Sequence, residues 1–269
     1  MTPEQVPADR RALVTGATAG IGAEFARRLA ADGWALVLVA RDATRLAGLA
    51  AELTGRHGRP VEVLPADLAT DDGCAAVERR LAGGSPVELL VNNAGISLNQ
   101  PFLRSAVEDE ARLLRLNVHA VLRLTRAAVG PMTERGHGAV INVSSVAGFG
   151  PVMPGSTYPA SKAWVTAFSE SVDLTTRRHG VRVMALCPGY TRTGMHERAG
   201  IDMSGTPGVM WLRAEQVVGE ALRDLRKGRS VSVPSRRYRL AVAAIRHAPR
   251  GLLRRFARDT RGRDDRHPR

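Results

Sequence analysis

The feature that most constrains this chain is an alternation. Seven short runs rich in Val, Leu and Ile, at residues 11–15, 35–40, 61–65, 88–91, 139–143, 182–186 and 230–233, alternate with longer segments of helical period. The helical segments are 21–31, 43–56, 71–81, 107–135, 158–179 and 214–227. Most of these runs are dominated by consecutive apolar residues rather than by a strict polar–apolar alternation. A strand of that kind is buried on both faces, which calls for a parallel sheet covered by helices on each side. The expectation is therefore a single α/β domain, a doubly wound parallel sheet of about seven strands flanked by helices on both faces. At 269 residues the chain is long enough to bury such a core. No internal repeat and no second domain is visible.

The first short run leads directly into Thr15-Gly16-Ala17-Thr18-Ala19-Gly20-Ile21-Gly22, and an amphipathic segment follows. Gly16 permits a sharp turn, Gly20 lets backbone approach a pyrophosphate, and Gly22 lets the helix pack tightly on the sheet. The helix start then offers free N–H groups to the phosphates. Gly16, Thr18, Ala19, Gly20 and Ile21 are thus candidate cofactor contacts in a Rossmann-type fold. The spacing G-x-x-x-G-x-G differs from the usual G-x-G-x-x-G, and glycines at a tight turn would give the same letters without a ligand. Position between strand and helix is what separates the two readings.

The second run discriminates between cofactors. A strand that ends in an acid holds a ribose 2′-OH and repels a 2′-phosphate. Here the run ends Val39-Ala40-Arg41, with a cation in place of the acid. Arg41 is able to fork onto a phosphate, and NADP(H) is expected over NAD(H). NAD(H) remains the alternative if Arg41 is only a surface cation.

Tyr158-Pro159-Ala160-Ser161-Lys162 opens a long helical segment, with Pro159 where a missing N–H costs nothing. Residues four apart share a helix face, so Tyr158 and Lys162 point the same way. A tyrosine with a pKa near 10 is only about 0.1% ionised at pH 7. Lowering it by roughly 3 units requires about 4 kcal/mol of preference for the phenolate, which a neighbouring ammonium is expected to supply. Of 39 basic residues only two, Lys162 and Lys227, are lysines. Arginine serves wherever a cation merely has to be a cation, so a lysine at 162 points to a specific role. Ser145 follows the fifth strand, at the edge where ligands of such sheets sit, and its hydroxyl is placed to bond a carbonyl oxygen. Its neighbour Ser144 is read as structural.

These residues, with Asn92-Asn93-Ala94-Gly95, Asn117 and Pro188-Gly189, closely resemble the motif set of the short-chain dehydrogenase/reductase family, over residues 9 to 234. The resemblance implies a proton donor or acceptor at Tyr158 and a carbonyl-orienting hydroxyl at Ser145. It implies that Lys162 holds the nicotinamide ribose and lowers the Tyr158 pKa, and that Asn117 supports a proton relay. It further implies Asp67 and Leu68 near adenine, and Asn93, Ala94 and Gly95 along the cofactor cleft. Pro188, Gly189 and Thr191 would lie near nicotinamide. Ala19 departs from the pattern, since many NADP-preferring relatives carry a basic residue there. The family resemblance leans towards 3-oxoacyl and ketone reductases.

Bulk properties exclude several other classes. The net charge of +13 is concentrated, because residues 236–269 hold twelve arginines and three aspartates, leaving +4 for the other 235. Without an aromatic stacking platform or recognition motif, nucleic acid is not expected as a partner. Cys74 and Cys187 lie far apart with no ligand cluster, so neither a disulfide framework nor a metal site is expected. The start of the chain is polar and mixed in charge, and no apolar run approaches the roughly 20 residues of a membrane span. A cytoplasmic protein is expected.

Two segments stand apart. Residues 193–211 are rich in Gly and Met and follow the sixth strand, where a substrate lid or an inert loop would lie. Residues 1–235 then form the folded domain, and 236–269 a basic tail that is amphipathic or partly disordered. That tail either contacts an anionic membrane surface or stays solvated. Substrate-facing candidates are Ser145, Phe149, Val152, Met153, Tyr190, Met195, Met210 and Trp211, mostly apolar, with Arg192 or His196 as the only clamps for an anion. The expected substrate is a hydrophobic ketone or 3-oxoacyl group, and relatives pair through 107–135 and 158–179 as homodimers or homotetramers. A rival reading is an NADP(H)-binding sensor without turnover.

Overall fold

The computed structural model describes residues 10–98, 100, 102–150, 157–193 and 207–247. Strands β1 (Arg11–Thr15), β2 (Ala35–Ala40), β3 (Val61–Pro65), β4 (Leu89–Asn92), β5 (Gly138–Val143), β6 (Val181–Leu186) and β7 (Val231–Ser232) form one sheet. Its order is β3-β2-β1-β4-β5-β6-β7, and every pairing is parallel. Helices α1 (Gly20–Ala31), α2 (Ala43–His57), α3 (Asp71–Ala82), α4 (Val107–Leu114), α5 (Ala120–Arg135), α6 (Thr157–Thr176), α7 (Ala214–Arg226) and α8 (Arg236–His247) flank it.

Alternate residues of the apolar strands enter two separate cores, as burial on both faces requires. Ala12, Val14, Leu36 and Leu38 pack with Phe25, Leu29, Val217 and Val218 on one side. Leu13, Val37, Leu90 and Val140 pack with Leu124, Ala128 and Met132 on the other. Truncating a fully buried leucine such as Leu13 or Leu90 is expected to cost about 2–5 kcal/mol.

Three features differ from the sequence reading. The expected single helix over 107–135 is interrupted by a π-helical turn at Arg115–His119, which carries Asn117. One extra residue per turn re-aims side chains without any signature in composition, and such turns often mark functional sites. Strand β7 is only two residues long. The first part of the basic tail forms α8, whose Tyr238 and Val242 are buried against the body. Residues 248–269 lie outside the described residues, as do 194–206 of the expected lid. Among the described residues no helix is long and apolar enough to cross a membrane.

The strand order reverses direction between β1 and β4, and the crevice beyond their carboxyl ends is where open parallel sheets bind ligands. Thr15 ties the two strands there. Its hydroxyl donates to the Val91 carbonyl at 3.4 Å and accepts the N–H groups of Asn93 (2.9 Å) and Ala94 (3.0 Å).

Candidate active site

The turn after β1 is held by its own backbone. Gly16 and Gly20 adopt φ of +64° and +56°, which side chains other than hydrogen disfavour. A Cβ on Gly22 would stand 2.3 Å from the Gly16 carbonyl oxygen, so only glycine fits where α1 meets the turn. Asn93 donates from its side-chain amide to the carbonyls of Thr15 (2.9 Å) and Gly16 (3.2 Å), fastening the turn to the end of β4. The first turn of α1 has neither a capping side chain nor an acid, so its N–H groups are left to an anionic ligand.

Further along the same edge, Arg41 is exposed just past β2. Asp42 is turned away, its carboxylate accepting the Arg45 N–H at 2.9 Å as the cap of α2. Asp67 accepts the Ala69 N–H at 3.0 Å and pairs with Arg112 of α4 at 2.8 Å. Burial alone would raise the Asp67 carboxyl. The Arg112 and Ala69 hydrogen bonds, with the charges of Arg112 and Arg41, outweigh that and hold it below the usual range. Leu68 is buried behind it. These residues fit a dinucleotide: a glycine cradle, an open helix start and a cation at the tip of β2.

Past the cradle the candidate reacting groups converge. A Cβ on Gly95 would lie 3.0 Å from Asn117 Oδ1 and 3.5 Å from Lys162 Nζ. Asn117 is completely buried and exchanges two 2.9 Å bonds with Ile96, accepting its N–H and donating to its carbonyl. It also approaches Ser161 Oγ at 3.4 Å. Ser144 is turned towards α6, donating to the Lys162 carbonyl at 2.7 Å and lying 2.8 Å from the Thr166 hydroxyl. Ser145 faces the other way, where its side chain accepts the Ala147 N–H at 3.1 Å and bonds the Tyr158 hydroxyl. Lys162 Nζ lies 5.6 Å from the Tyr158 ring centre and donates to the Val143 carbonyl at 2.9 Å.

The electrostatics run opposite to the sequence expectation for Tyr158. Burial pushes its hydroxyl above the ordinary tyrosine value, and the Ser145 hydrogen bond only partly opposes this. Lys162 is itself pulled down to about 8 by burial, with the neighbouring Cys187 acting weakly the other way. Desolvation disfavours the charged form of both groups, so Tyr158 keeps its proton and Lys162 holds its own loosely. Among the described residues no cluster of His, Cys, Asp or Glu is placed to hold a metal ion.

The loop after β6 closes the other side. Val146 donates its N–H to the Pro188 carbonyl at 3.1 Å, and the Thr191 hydroxyl donates to the Gly189 carbonyl at 2.9 Å. Thr191 bridges Leu212 in parallel fashion, and the Tyr190 and Trp211 rings lie 6.0 Å apart. Phe149 sits in the short 3-10 turn Val146–Phe149 directly after Ser145. Val152, Met153, Met195 and His196 lie outside the described residues.

One functional neighbour escaped the sequence reading. Glu110 of α4 is 7% exposed, and its carboxylate accepts the Ser105 hydroxyl at 2.6 Å and the Thr157 hydroxyl immediately before Tyr158. It shares a helix face with Leu113 and, one turn on, Asn117, and an acid on that inward face was the available signal.

Comparison with known proteins agrees with this layout. The family model described as short chain dehydrogenase matches residues 10–203. A short-chain dehydrogenase from Sphingobium yanoikuyae, solved in complex with NADPH, superposes with a TM-score of 0.83 at 36% identity, over 96% of this chain and 98% of that one. The bulky-bulky ketone specific alcohol dehydrogenase from Comamonas testosteroni gives 0.78 at 30% identity, over 97% of this chain and all of that one (100%). A very-long-chain 3-oxoacyl-CoA reductase of Anas platyrhynchos is 34% identical over 188 residues, covering 68% of this chain. The match spans only 60% of the reductase's own length.

Proposed function

Because the chain belongs to the short-chain dehydrogenase family, an NAD(P)-dependent group of oxidoreductases acting on alcohols and carbonyls, we propose that it is an NADP(H)-dependent reductase of hydrophobic ketones or 3-oxoacyl groups. The observation that carries the reading is the convergence of Ser145, Tyr158 and the buried Lys162, its ammonium 5.6 Å from the Tyr158 ring centre, at the open end of the glycine cradle. NADPH held in that cradle would supply the hydride. Ser145 orients a carbonyl oxygen, and Tyr158, held protonated by burial, delivers a proton to it as the alcohol forms. Lys162 secures the ribose and places a positive charge near the oxygen that gains electron density. Asn117 keeps the backbone at Ile96 in place beneath them.

Arg41 supports NADP(H) over NAD(H), since it is the exposed cation where a 2′-phosphate would lie. The NADPH complex of the Sphingobium protein supports the same choice. Phe149, Tyr190, Met210 and Trp211 give the substrate side an apolar and aromatic lining, and the ketone and 3-oxoacyl reductases among the relatives support that class. Two copies are proposed to pair through α5 and α6. An apolar groove there is lined by Leu122, Ala127, Val129, Phe168 and Val172, and sedimentation of the purified protein as a monomer would oppose that pairing.

The deciding assay is NADPH oxidation over a panel of hydrophobic ketones and 3-oxoacyl thioesters. Turnover that vanishes in Tyr158→Phe supports the reductase. Tight NADPH binding with no turnover on any member would favour a cofactor sensor instead.

A further inference from the structure

Helix α8 begins in the basic segment that looked least functional, yet it reaches both loops of the substrate side. Tyr238 is 6% exposed, and its hydroxyl donates to the Met210 carbonyl at 2.8 Å while accepting the Tyr190 N–H at 3.1 Å. Its ring lies flat against Gly189, where a Cβ would fall 2.0 Å from the ring carbons. One side chain therefore joins the loop after β6, the run leading into α7, and α8 itself. Eight residues on, the Arg246 guanidinium stacks 4.7 Å above the Phe149 ring, on the loop after β5. The helix thus spans the two walls that carry Phe149 on one side and Tyr190 and Trp211 on the other.

We propose that Tyr238 is a positioning residue for substrate choice, fixing the gap between these walls, with Arg246 as the second anchor. This rests on the reading above that Phe149, Tyr190 and Trp211 face the substrate. The physical basis is satisfaction of buried polar groups. The Tyr190 N–H and Met210 carbonyl both meet the same largely buried hydroxyl, and removing it leaves each without that partner in a half-buried site. The two segments stay joined to each other through Tyr190, Arg192 and Leu212, but they lose this tie to α8, and the aromatic wall would shift relative to that helix and to Phe149. Lys162 is held by Ser144 and the Val143 carbonyl, Ser145 by the Ala147 N–H, and Tyr158 stands on α6, so these three would keep their places.

Tyr238→Phe in the full-length protein tests this, with Leu240→Ala on the exposed side of α8 as the control. The expected result is a KM for bulky ketones or long 3-oxoacyl thioesters changed by about tenfold, on the scale of a lost buried hydrogen bond. For a small ketone kcat and KM should stay within about twofold, and NADPH affinity should be unchanged. Amide exchange at Tyr190 should accelerate by about tenfold or more. An active variant with the same ratio of bulky to small substrate rates overturns the proposal, as does unchanged exchange at Tyr190. Should Tyr238→Phe not fold, Arg246→Gln decides, with a shift of about threefold in the same ratio expected from the lost cation–π contact and no shift overturning it. A wild-type protein that reduces nothing would sink the reductase reading, while exchange at Tyr190 would still decide whether the clasp exists.

Discussion

The turn after β1 and the segments after β6 meet across one sheet edge, where a Cβ on Gly20 would strike Thr193, but they are held by different means. The first is fixed mainly by its own backbone conformation, with a single side-chain clamp. Two glycines at positive φ, the Gly22 contact and the Asn93 clamp leave it one shape. The second has a backbone pairing of its own, Tyr190 and Arg192 with Leu212, and is then braced by side chains from a separate helix, Tyr238 from 48 residues away. A cradle made of backbone suits a ligand part of constant shape such as a pyrophosphate. A wall made of side chains can be re-cut by substitution without disturbing the sheet. Changes to the first region should therefore strike every substrate alike, and changes to the second should sort substrates from one another.

The largest expected effect lies at the junction of the two regions. Tyr158→Phe should lower kcat by about a thousandfold on every substrate while leaving NADPH affinity nearly intact, as single-turnover kinetics and fluorescence titration would show. Next comes the cradle. Gly22→Ala should weaken NADPH binding by about a hundredfold and destabilise the fold by about 1–3 kcal/mol in urea unfolding, because backbone has to move around the new methyl. If one substrate lost far more than another in this variant, the contrast between the regions would fail. Arg41→Ala should cost about thirtyfold in NADPH affinity and little in NADH affinity, the size of one charge-assisted contact. Equal losses for both cofactors would remove Arg41 from 2′-phosphate recognition.

The smallest effect is a pH dependence, and its sign follows from Lys162 and Tyr158. Lys162 is charged below about 8 and loses its proton above it. Tyr158 is pushed upward and stays protonated across that range. Reduction requires both protons, so kcat/KM should be flat up to pH about 8 and then fall about tenfold per unit. A limb rising through the same range would mean that an unprotonated Tyr158 is the working form.

Much of this was legible in the residues because the physics left few alternatives. The central strands are buried on both faces and mostly apolar, and the alternation of such runs with helical segments located all seven strands to within a residue or two at each end, the edge strands β3 and β7 included. Gly16, Gly20 and Gly22 sit where only glycine fits, and one of only two lysines among 39 basic residues marked position 162. What stayed hidden depends on distance or on environment. The π turn around Asn117 alters hydrogen bonding without altering composition. Glu110 meets Thr157 across 47 residues, and an acid in a helix ordinarily reads as a solvated face. Tyr238 stands among arginines and looked like part of a solvated tail. The direction of the Tyr158 shift was missed because burial, invisible in the letters, outweighs any help from the neighbouring ammonium.

The scarcity of lysine has a chemical corollary. With two lysines in the chain, reagents that modify primary amines have very few side-chain targets. Lys162 is a buried amine with a pKa of about 8, so near pH 8 about half of it is in the nucleophilic form. Lys227 sits exposed at the end of α7. After digestion, side-chain labelling by a small electrophile would therefore fall on two peptides, one from the surface and one from the cleft, distinct from any α-amino label. The chain carries its own reporter of cleft occupancy, with its own reference beside it.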